Sequence, residues 1–172
     1  MKLRLAYLFT AVLMLFSCIK EKPAGADLVV GDVIPDFEVT MNDGSVVTGQ
    51  ELRKTPSCIV FFHTSCPDCQ QALPLIQELY DKYASQGVSF ALISREEEDS
   101  TVSAYWAEKA FTIPYSAQST REIYNLFAQT RVPRVYICEK GGVIKAIYTD
   151  DPVPGFEELD RQINSVCGNG KE

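Results

Sequence analysis

Residues 58–72 read Cys-Ile-Val-Phe-Phe-His-Thr-Ser-Cys-Pro-Asp-Cys-Gln-Gln-Ala, an apolar run followed by a Cys-x-x-Cys motif. The continuous apolar run 58–62 predicts a strand buried on both faces. Beyond Cys69, apolar residues recur at three- and four-residue spacing, which predicts a helix ending at Gly87. The Cys-x-x-Cys motif therefore lies where a buried strand passes into a helix.

That position predicts thiol chemistry at the motif. Cys66 falls at the helix N-terminus, where unpaired backbone N–H groups and the helix dipole favour a thiolate. Pro67 suits the first helical turn, because its missing N–H is not needed there. Cys69 lies one turn further on, close enough to attack a mixed disulfide on Cys66. We therefore predict Cys66 as the nucleophile and Cys69 as the resolving thiol.

Composition argues against metal, cofactor and nucleic-acid functions. A structural zinc site needs a second Cys pair, but the other cysteines are isolated and the chain has 1 His. No Gly-rich dinucleotide fingerprint is present, so electrons must come from a partner. The net charge of −7 disfavours nucleic-acid binding. We predict no metal, no cofactor and no nucleic-acid partner.

The remaining patterns predict an α/β fold with the order β-hairpin, β, α, β, α, α, β, β, α. The acidic loop 95–99 is interpreted as a solvated connection, and a capping box is predicted at Ser119 and Glu122. The predicted elements are a hairpin (33–39 and 45–48), strands 88–94, 134–138 and 143–148, a short extended piece around Tyr115, and helices 102–110, 119–127 and 156–166, with Tyr105, Trp106 and Ala110 as packing positions.

Several motifs outside the Cys pair resemble one family. Val132-Pro133 precedes a predicted strand, residues 31–37 read Gly-Asp-Val-Ile-Pro-Asp-Phe before Asp43-Gly44, and Pro74 interrupts the first long helix. On these residues, 30–166 resemble the thioredoxin superfamily. They are most similar to the membrane-anchored or periplasmic thiol–disulfide oxidoreductases of the TlpA/ResA type, whose insertion resembles 102–110.

The resemblance implies a thioredoxin-like fold, with a central mixed sheet flanked by helices, an N-terminal β-hairpin and a helical insertion. It implies that Pro133 is cis and that the Val132 backbone pairs with the substrate chain, with Pro67 and Asp68 as further substrate-binding residues. The implied partners are protein disulfide substrates and a membrane thiol-reductant donor. Cytochrome-maturation apoproteins, mis-paired exported proteins and a dedicated partner are all open as substrates.

The chain departs from the family around the motif. Ser65 stands where Trp is usual, and Val60 and Ala72 stand where relatives carry an acid that accepts a proton from the second Cys. His63 is the nearest titratable side chain, and two roles stay open for it: acid/base assistance or capping of the strand end. The charge of Asp68 opposes thiolate formation at Cys66, which favours a reductant over a strong oxidant.

The strand cysteines are expected to be buried. If position 63 faces position 133 in antiparallel pairing, Cys58 faces Cys138. Both are then packed thiols or, alternatively, a cross-strand disulfide. Cys167 has no assigned role and is taken as free.

The N-terminus predicts export. Residues 1–17 combine basic Lys2 and Arg4 with an apolar run, as a signal peptide does. Leu15-Phe16-Ser17-Cys18 resembles the bacterial lipobox, in which the Cys is lipidated. We expect a tether over 18–26 and one thioredoxin-like domain over 27–172. The predicted location is extracytoplasmic, lipid-anchored to a bacterial membrane and facing the periplasm or the cell surface.

Two rival functions stay open. A peroxiredoxin-like thiol peroxidase shares the fold, but it needs Pro and Thr at the positions of Ile59 and His63. A non-catalytic thioredoxin-like binding module would use its cysteines for stability alone.

Overall fold

The computed structural model describes residues 25–168, and the expected signal peptide, Cys18 and residues 19–24 of the tether lie outside them. A five-stranded mixed sheet has the order β5-β4-β3-β6-β7, beside a separate pair β1-β2. No helix in the described part is long and apolar enough to span a membrane. The elements are β1 (Glu38–Thr40), β2 (Val46–Thr48), α1 (Gly49–Leu52), β3 (Ser57–Phe62), α2 (Pro67–Tyr83), β4 (Ser89–Ser94), α3 (Asp99–Lys109), β5 (Tyr115–Ser116), α4 (Glu122–Asn125), β6 (Arg134–Cys138), β7 (Ile144–Tyr148) and α5 (Phe156–Gly168).

The predicted architecture is confirmed: a central mixed sheet is flanked by helices and accompanied by an N-terminal strand pair. Every residue of β3 is buried, and this strand pairs in parallel with β4 and antiparallel with β6. The helix α2 makes the crossover that a parallel pair requires. The Cys-x-x-Cys motif consequently lies at the C-terminal end of the central strand.

The predicted β3–β6 register is wrong by one residue. Cys58 faces Ile137, and Cys138 faces Ser57. The strand β3 ends at Phe62, so His63 has already left the sheet and does not pair with position 133. A one-residue slip turns side chains to the other face of a sheet, so Cys58 and Cys138 point to opposite faces. The alternative of a cross-strand disulfide is therefore excluded.

Both strand cysteines are packed free thiols. Each is completely buried, with no exposed area. Burial raises the pKa of Cys138 to about 12 and raises the pKa of Cys58 further. At neutral pH these two thiols stay protonated and inert.

The N-terminal hairpin is shorter than predicted, since its first strand covers only Glu38–Thr40. The preceding segment crosses to the edge of the main sheet instead. Gly31 N–H donates to Ile144 O over 2.9 Å, and Val33 bridges Val143. An edge strand has unpaired backbone groups, and this segment satisfies some of those on β7. The predicted turn at Gly44 is present, with φ of 84°.

Two helix predictions need correction. Ala110 is not a packing position: it is exposed and ends α3 in the left-handed conformation, whereas Val102 and Trp106 are buried. The capping box at Ser119 and Glu122 does not form. The short helix α4 starts after Arg121, and no side chain caps it.

Candidate functional site

The two motif cysteines differ in exposure. Cys66 caps the N-terminus of α2 and is partly exposed, whereas Cys69 is completely buried. The Cys69 N–H donates to Cys66 Sγ over 3.4 Å. A sulfur that receives a helix N-terminal N–H is favoured as the thiolate. Accessibility and hydrogen bonding together make Cys66 the sulfur that an incoming disulfide meets first.

Burial dominates the chemistry of Cys69. It raises the pKa of the Cys69 thiol well above its ordinary value, and the neighbouring Cys66 sulfur raises it further. The backbone of His63 and the guanidinium of Arg95 act in the opposite direction and lower the pKa of Cys69. Cys69 is therefore a protonated thiol at neutral pH.

The segment before β6 is remote from the motif in sequence but lies beside it in the fold. The Val132–Pro133 peptide bond is cis, and the Cys66 thiol donates to Val132 O over 3.4 Å. The backbone of Val132 thus lies directly beside the sulfur of Cys66. An extended chain that adds to this segment would place its own side chains against Cys66.

A groove of about 480 Å³ opens beside Cys66. It brings together six residues singled out from the sequence, and it adds three charged residues that the sequence did not indicate. Cys69 and Pro133 do not line it. The lining residues are His63, Ser65, Cys66, Pro67, Asp68, Arg95, Arg131, Val132 and Asp150.

The loop after β4 is exposed at Glu96, Glu98 and Asp99, as its charges predict, but one of its glutamates is buried. Glu97 turns inward, with only 2% of its side chain exposed. Its carboxylate accepts from the backbone N–H of Thr64 over 2.9 Å, and also from the Thr64 hydroxyl. A run of three glutamates has no periodicity to mark the buried member. The one available signal was that Val60 and Ala72 replace the acids that relatives carry near the second Cys, which leaves room for an acid from another segment.

His63 lies between Glu97 and the groove. Its Nδ1 is 3.4 Å from Glu97 Oε1 and 3.0 Å from the Ser65 hydroxyl. The ring is 29% exposed, so it is reached from the groove while it contacts a buried carboxylate. Acid/base assistance and capping of the strand end both remain predictions for His63.

Tyr124 holds the loop that carries Val132. Its hydroxyl donates to the carbonyls of Thr130 and Arg131, and the Arg95 guanidinium lies 5.1 Å from its ring centre. Arg131 has φ of 72°, a left-handed conformation that costs a non-glycine residue energy. The surrounding contacts therefore fix the wall of the groove opposite Cys66.

Within residues 25–168, no group of three or more His, Cys, Asp or Glu side chains is placed to hold a metal ion.

Comparisons with known proteins agree with this geometry. A family model described as the AhpC/TSA family matches residues 30–147. The chain is 28% identical over 136 residues to the thiol-disulfide oxidoreductase ResA of Oceanobacillus iheyensis, covering 77% of this chain and 68% of that protein. It is 24% identical over 139 residues to the ResA of Geobacillus kaustophilus, covering 81% and 79%. A solution structure from Bacteroides thetaiotaomicron, of a candidate protein disulfide isomerase, superposes with a TM-score of 0.78 at 24% identity, covering 86% and 95%.

Proposed function

Because the chain belongs to the AhpC/TSA family and is a thiol–disulfide oxidoreductase similar to ResA, we propose that it reduces disulfides in exported proteins at the outer face of a membrane. The observation that carries this proposal is the pairing of an accessible Cys66 sulfur with a buried Cys69, beside the backbone of Val132.

The reaction proceeds in two exchanges. The Cys66 thiolate attacks a substrate disulfide, forming a mixed disulfide and displacing one substrate sulfur. Cys69 then loses its proton and attacks the Cys66 sulfur, which releases the second substrate sulfur and leaves a Cys66–Cys69 disulfide. The substrate gains two electrons and two protons, and the enzyme loses them.

The substrate chain lies against Val132, with Pro67 and Asp68 on the opposite side of the groove. In the reduced enzyme, Val132 O accepts the Cys66 thiol proton. Ionisation of Cys66 removes that hydrogen bond, and the carbonyl is then available to a backbone N–H of the substrate. Loss of the thiol proton thus prepares both the nucleophile and the binding edge.

The direction of electron transfer depends on how strongly the protein stabilises the thiolates of its reduced form. Strong oxidants of this class stabilise the thiolate of their reduced form. Here Asp68, in the first turn of α2, places a negative charge near Cys66, and burial keeps Cys69 protonated. Both effects oppose the stabilisation that the helix N-terminus offers a thiolate, so we expect the reduced form to give up its electrons more readily than that of a strong oxidant.

Redox titration of the full chain against glutathione is expected to place the Cys66–Cys69 couple near the potential of thioredoxin, about −270 mV. Asp68→Asn is expected to move the potential toward more oxidising values, because it removes the charge that opposes the thiolate. The matched control is Asp81→Asn, an exposed position near the end of α2. A midpoint near about −120 mV, as in strong oxidants, would contradict the assignment as a reductant.

The same proposal includes export and lipid anchoring through Cys18. The basic start, apolar run and lipobox-like sequence of residues 1–18 support it. Thiols outside the cytoplasm meet oxidising conditions, so a reductase there needs a membrane donor of thiol electrons to be reduced again. Apoproteins of cytochrome c biogenesis are one class of exported substrate with such a requirement.

Expression of the full chain in a bacterium with radiolabelled palmitate is expected to give a labelled, membrane-associated protein. Cys18→Ser is expected to lose the label completely, because the lipobox-like position no longer has a thiol to carry the lipid, while Cys167→Ser keeps it. Equal labelling of the two variants would contradict the anchor.

The rival functions predict other results. A thiol peroxidase needs Cys66 alone for peroxide attack, so Cys69→Ser would still consume peroxide in a single turnover. A binding module would retain its partner after both motif cysteines are replaced, and it would not reduce insulin disulfides.

A further inference from the structure

The predicted domain begins at Asp27, and this residue is hydrogen-bonded to the loop that precedes Val132. Asp27 Oδ1 accepts the backbone N–H of Gln129, 102 positions later in the chain, over 2.8 Å. The next residue continues the contact, since the Leu28 N–H donates to Phe127 O over 2.8 Å. The N-terminal segment is thus attached to the part of the chain that leads into the groove wall.

The other carboxylate oxygen of Asp27 binds a buried arginine. Asp27 Oδ2 accepts from the Arg134 guanidinium over 2.5 Å, and the Arg134 side chain is only 8% exposed. Arg134 Nε in turn donates to Thr130 O over 3.2 Å. A buried guanidinium needs a negative partner, because an unpaired charge is costly to bury. Asp27 therefore keeps Arg134 in the place from which it binds the Thr130 carbonyl.

These contacts act on the loop just before a residue in the left-handed conformation. Arg131 has φ of 72°, which a non-glycine residue keeps only when surrounding contacts impose it. Tyr124 supplies contacts from one side, because its hydroxyl donates to the carbonyls of Thr130 and Arg131. Asp27 supplies contacts to the two residues before Arg131, directly and through its arginine partner. The position of the Val132 carbonyl, which follows at once, therefore depends on both sets of contacts.

The ion pairs on the groove side hold this loop less firmly. Arg131 lies 3.0 Å from Asp150 and 3.9 Å from Asp151, but its side chain is 51% exposed. Exposed ion pairs contribute little to stability, because water screens their charges. The pair between Asp27 and Arg134 has one partner almost completely buried, so water does not replace Asp27 when it is removed.

We propose that Asp27 is a positioning residue that sets the Val132 carbonyl for the backbone of a polypeptide substrate. The inference rests on the proposed disulfide exchange. A small disulfide needs only the Cys66 sulfur, whereas the disulfide of a polypeptide also brings a backbone that pairs with Val132. Asp27 does not line the groove, so it acts through the loop 129–131.

The first test compares two substrates in single-turnover reductions by the full chain. One is an uncharged cyclic peptide closed by a disulfide, and the other is bis(2-hydroxyethyl) disulfide, which has no peptide backbone. Asp27→Ala is expected to lower the rate constant for the peptide about tenfold, the equivalent of one hydrogen bond to the substrate, and that for the small disulfide less than about twofold. Asp27→Asn is expected to have a smaller effect on the peptide, because its amide oxygen still accepts the Gln129 N–H.

The matched control is Asp36→Ala. Asp36 is an acidic residue of the same N-terminal segment, its side chain is 72% exposed, and it pairs with Arg53, away from the groove. Asp36→Ala is expected to leave both rate constants unchanged.

The second test observes the loop itself by amide hydrogen exchange, measured by NMR. Asp27→Ala is expected to speed exchange at the Gln129 amide about tenfold, because this N–H loses its acceptor. Exchange at Val60, in the fully buried strand β3, reports global unfolding and corrects for any change in overall stability.

The outcomes separate the possibilities. Asp27→Ala that slows both disulfides equally, or neither, overturns the inference, and the ratio within one variant cancels any loss of folded protein. If Asp27→Ala does not fold, the same ratio in Asp27→Asn decides. Unchanged exchange at Gln129 also overturns the role of Asp27. If the wild type reduces neither disulfide, the proposed function fails first, whereas reduction of both with no difference between substrates in the variants rejects this inference alone.

Discussion

Cys69→Ser protein is expected to accumulate as a covalent adduct with its substrate, joined through Cys66. The first exchange needs only the accessible Cys66 sulfur, but release of the substrate needs the Cys69 sulfur. Cys69 is already adjacent, because its backbone nitrogen lies 3.4 Å from Cys66 Sγ. Removing Cys69 thus stops the reaction after one step. Cys66→Ser is expected to form no adduct and to reduce insulin at the rate of a buffer control.

Non-reducing gel electrophoresis and mass spectrometry of the captured proteins measure this result and identify the substrates. Cys167→Ser, a half-buried thiol on α5, is the control and is expected to behave as the wild type in single turnover. Buried Cys58 and Cys138 are expected to appear in no adduct, since burial keeps both thiols protonated. An adduct through any cysteine other than Cys66 would contradict the assignment of the nucleophile.

Phe61→Ala is expected to lower the free energy of unfolding by about 3–5 kcal/mol, the usual cost of emptying a large buried aromatic site. Phe61 is completely buried, and its ring centre lies 5.4 Å from Tyr124 and 4.9 Å from Phe127. The lost side chain leaves a cavity that strands on both sides of β3 prevent from closing. Urea denaturation monitored by circular dichroism measures the change.

The matched control is Phe90→Ala on β4, a partly exposed ring that packs against Tyr80. This change is expected to lower the free energy of unfolding clearly less than Phe61→Ala does.

Phe61→Ala is also expected to affect the site. Tyr124 packs on Phe61 and hydrogen-bonds the carbonyl of Arg131, so a looser Tyr124 loosens the wall beside Cys66. If Phe61→Ala lowers the free energy of unfolding by less than about 1 kcal/mol, β3 does not anchor the core.

Much of the fold was predictable because its signals are local. The apolar run before the motif, the spacing of apolar residues after it and the Asp43-Gly44 turn each depend on neighbours within a few positions. The hairpin was too long in the prediction because Gly31 and Val33 satisfy the edge of β7, a partner more than a hundred positions away. Sequence periodicity contains no information on such a partner.

The candidate site likewise combines features that local sequence predicts with features that depend on remote contacts. Cys66, Pro67, Asp68 and His63 follow one another closely, so their joint presence at a helix N-terminus was readable. The packing of Glu97 was not, because a carboxylate in an acidic loop has the same local pattern whether it faces water or Thr64.

The local sequence is enough to predict a buried strand that leads a Cys pair to a helix N-terminus, since burial, periodicity and the helix dipole act over short distances along the chain. The β3–β6 register, the separation of Cys58 from Cys138 and the contact between Glu97 and His63 are visible only in the folded protein. Register and contacts of this kind depend on distances between segments remote in sequence. Those distances are set only when the whole core packs.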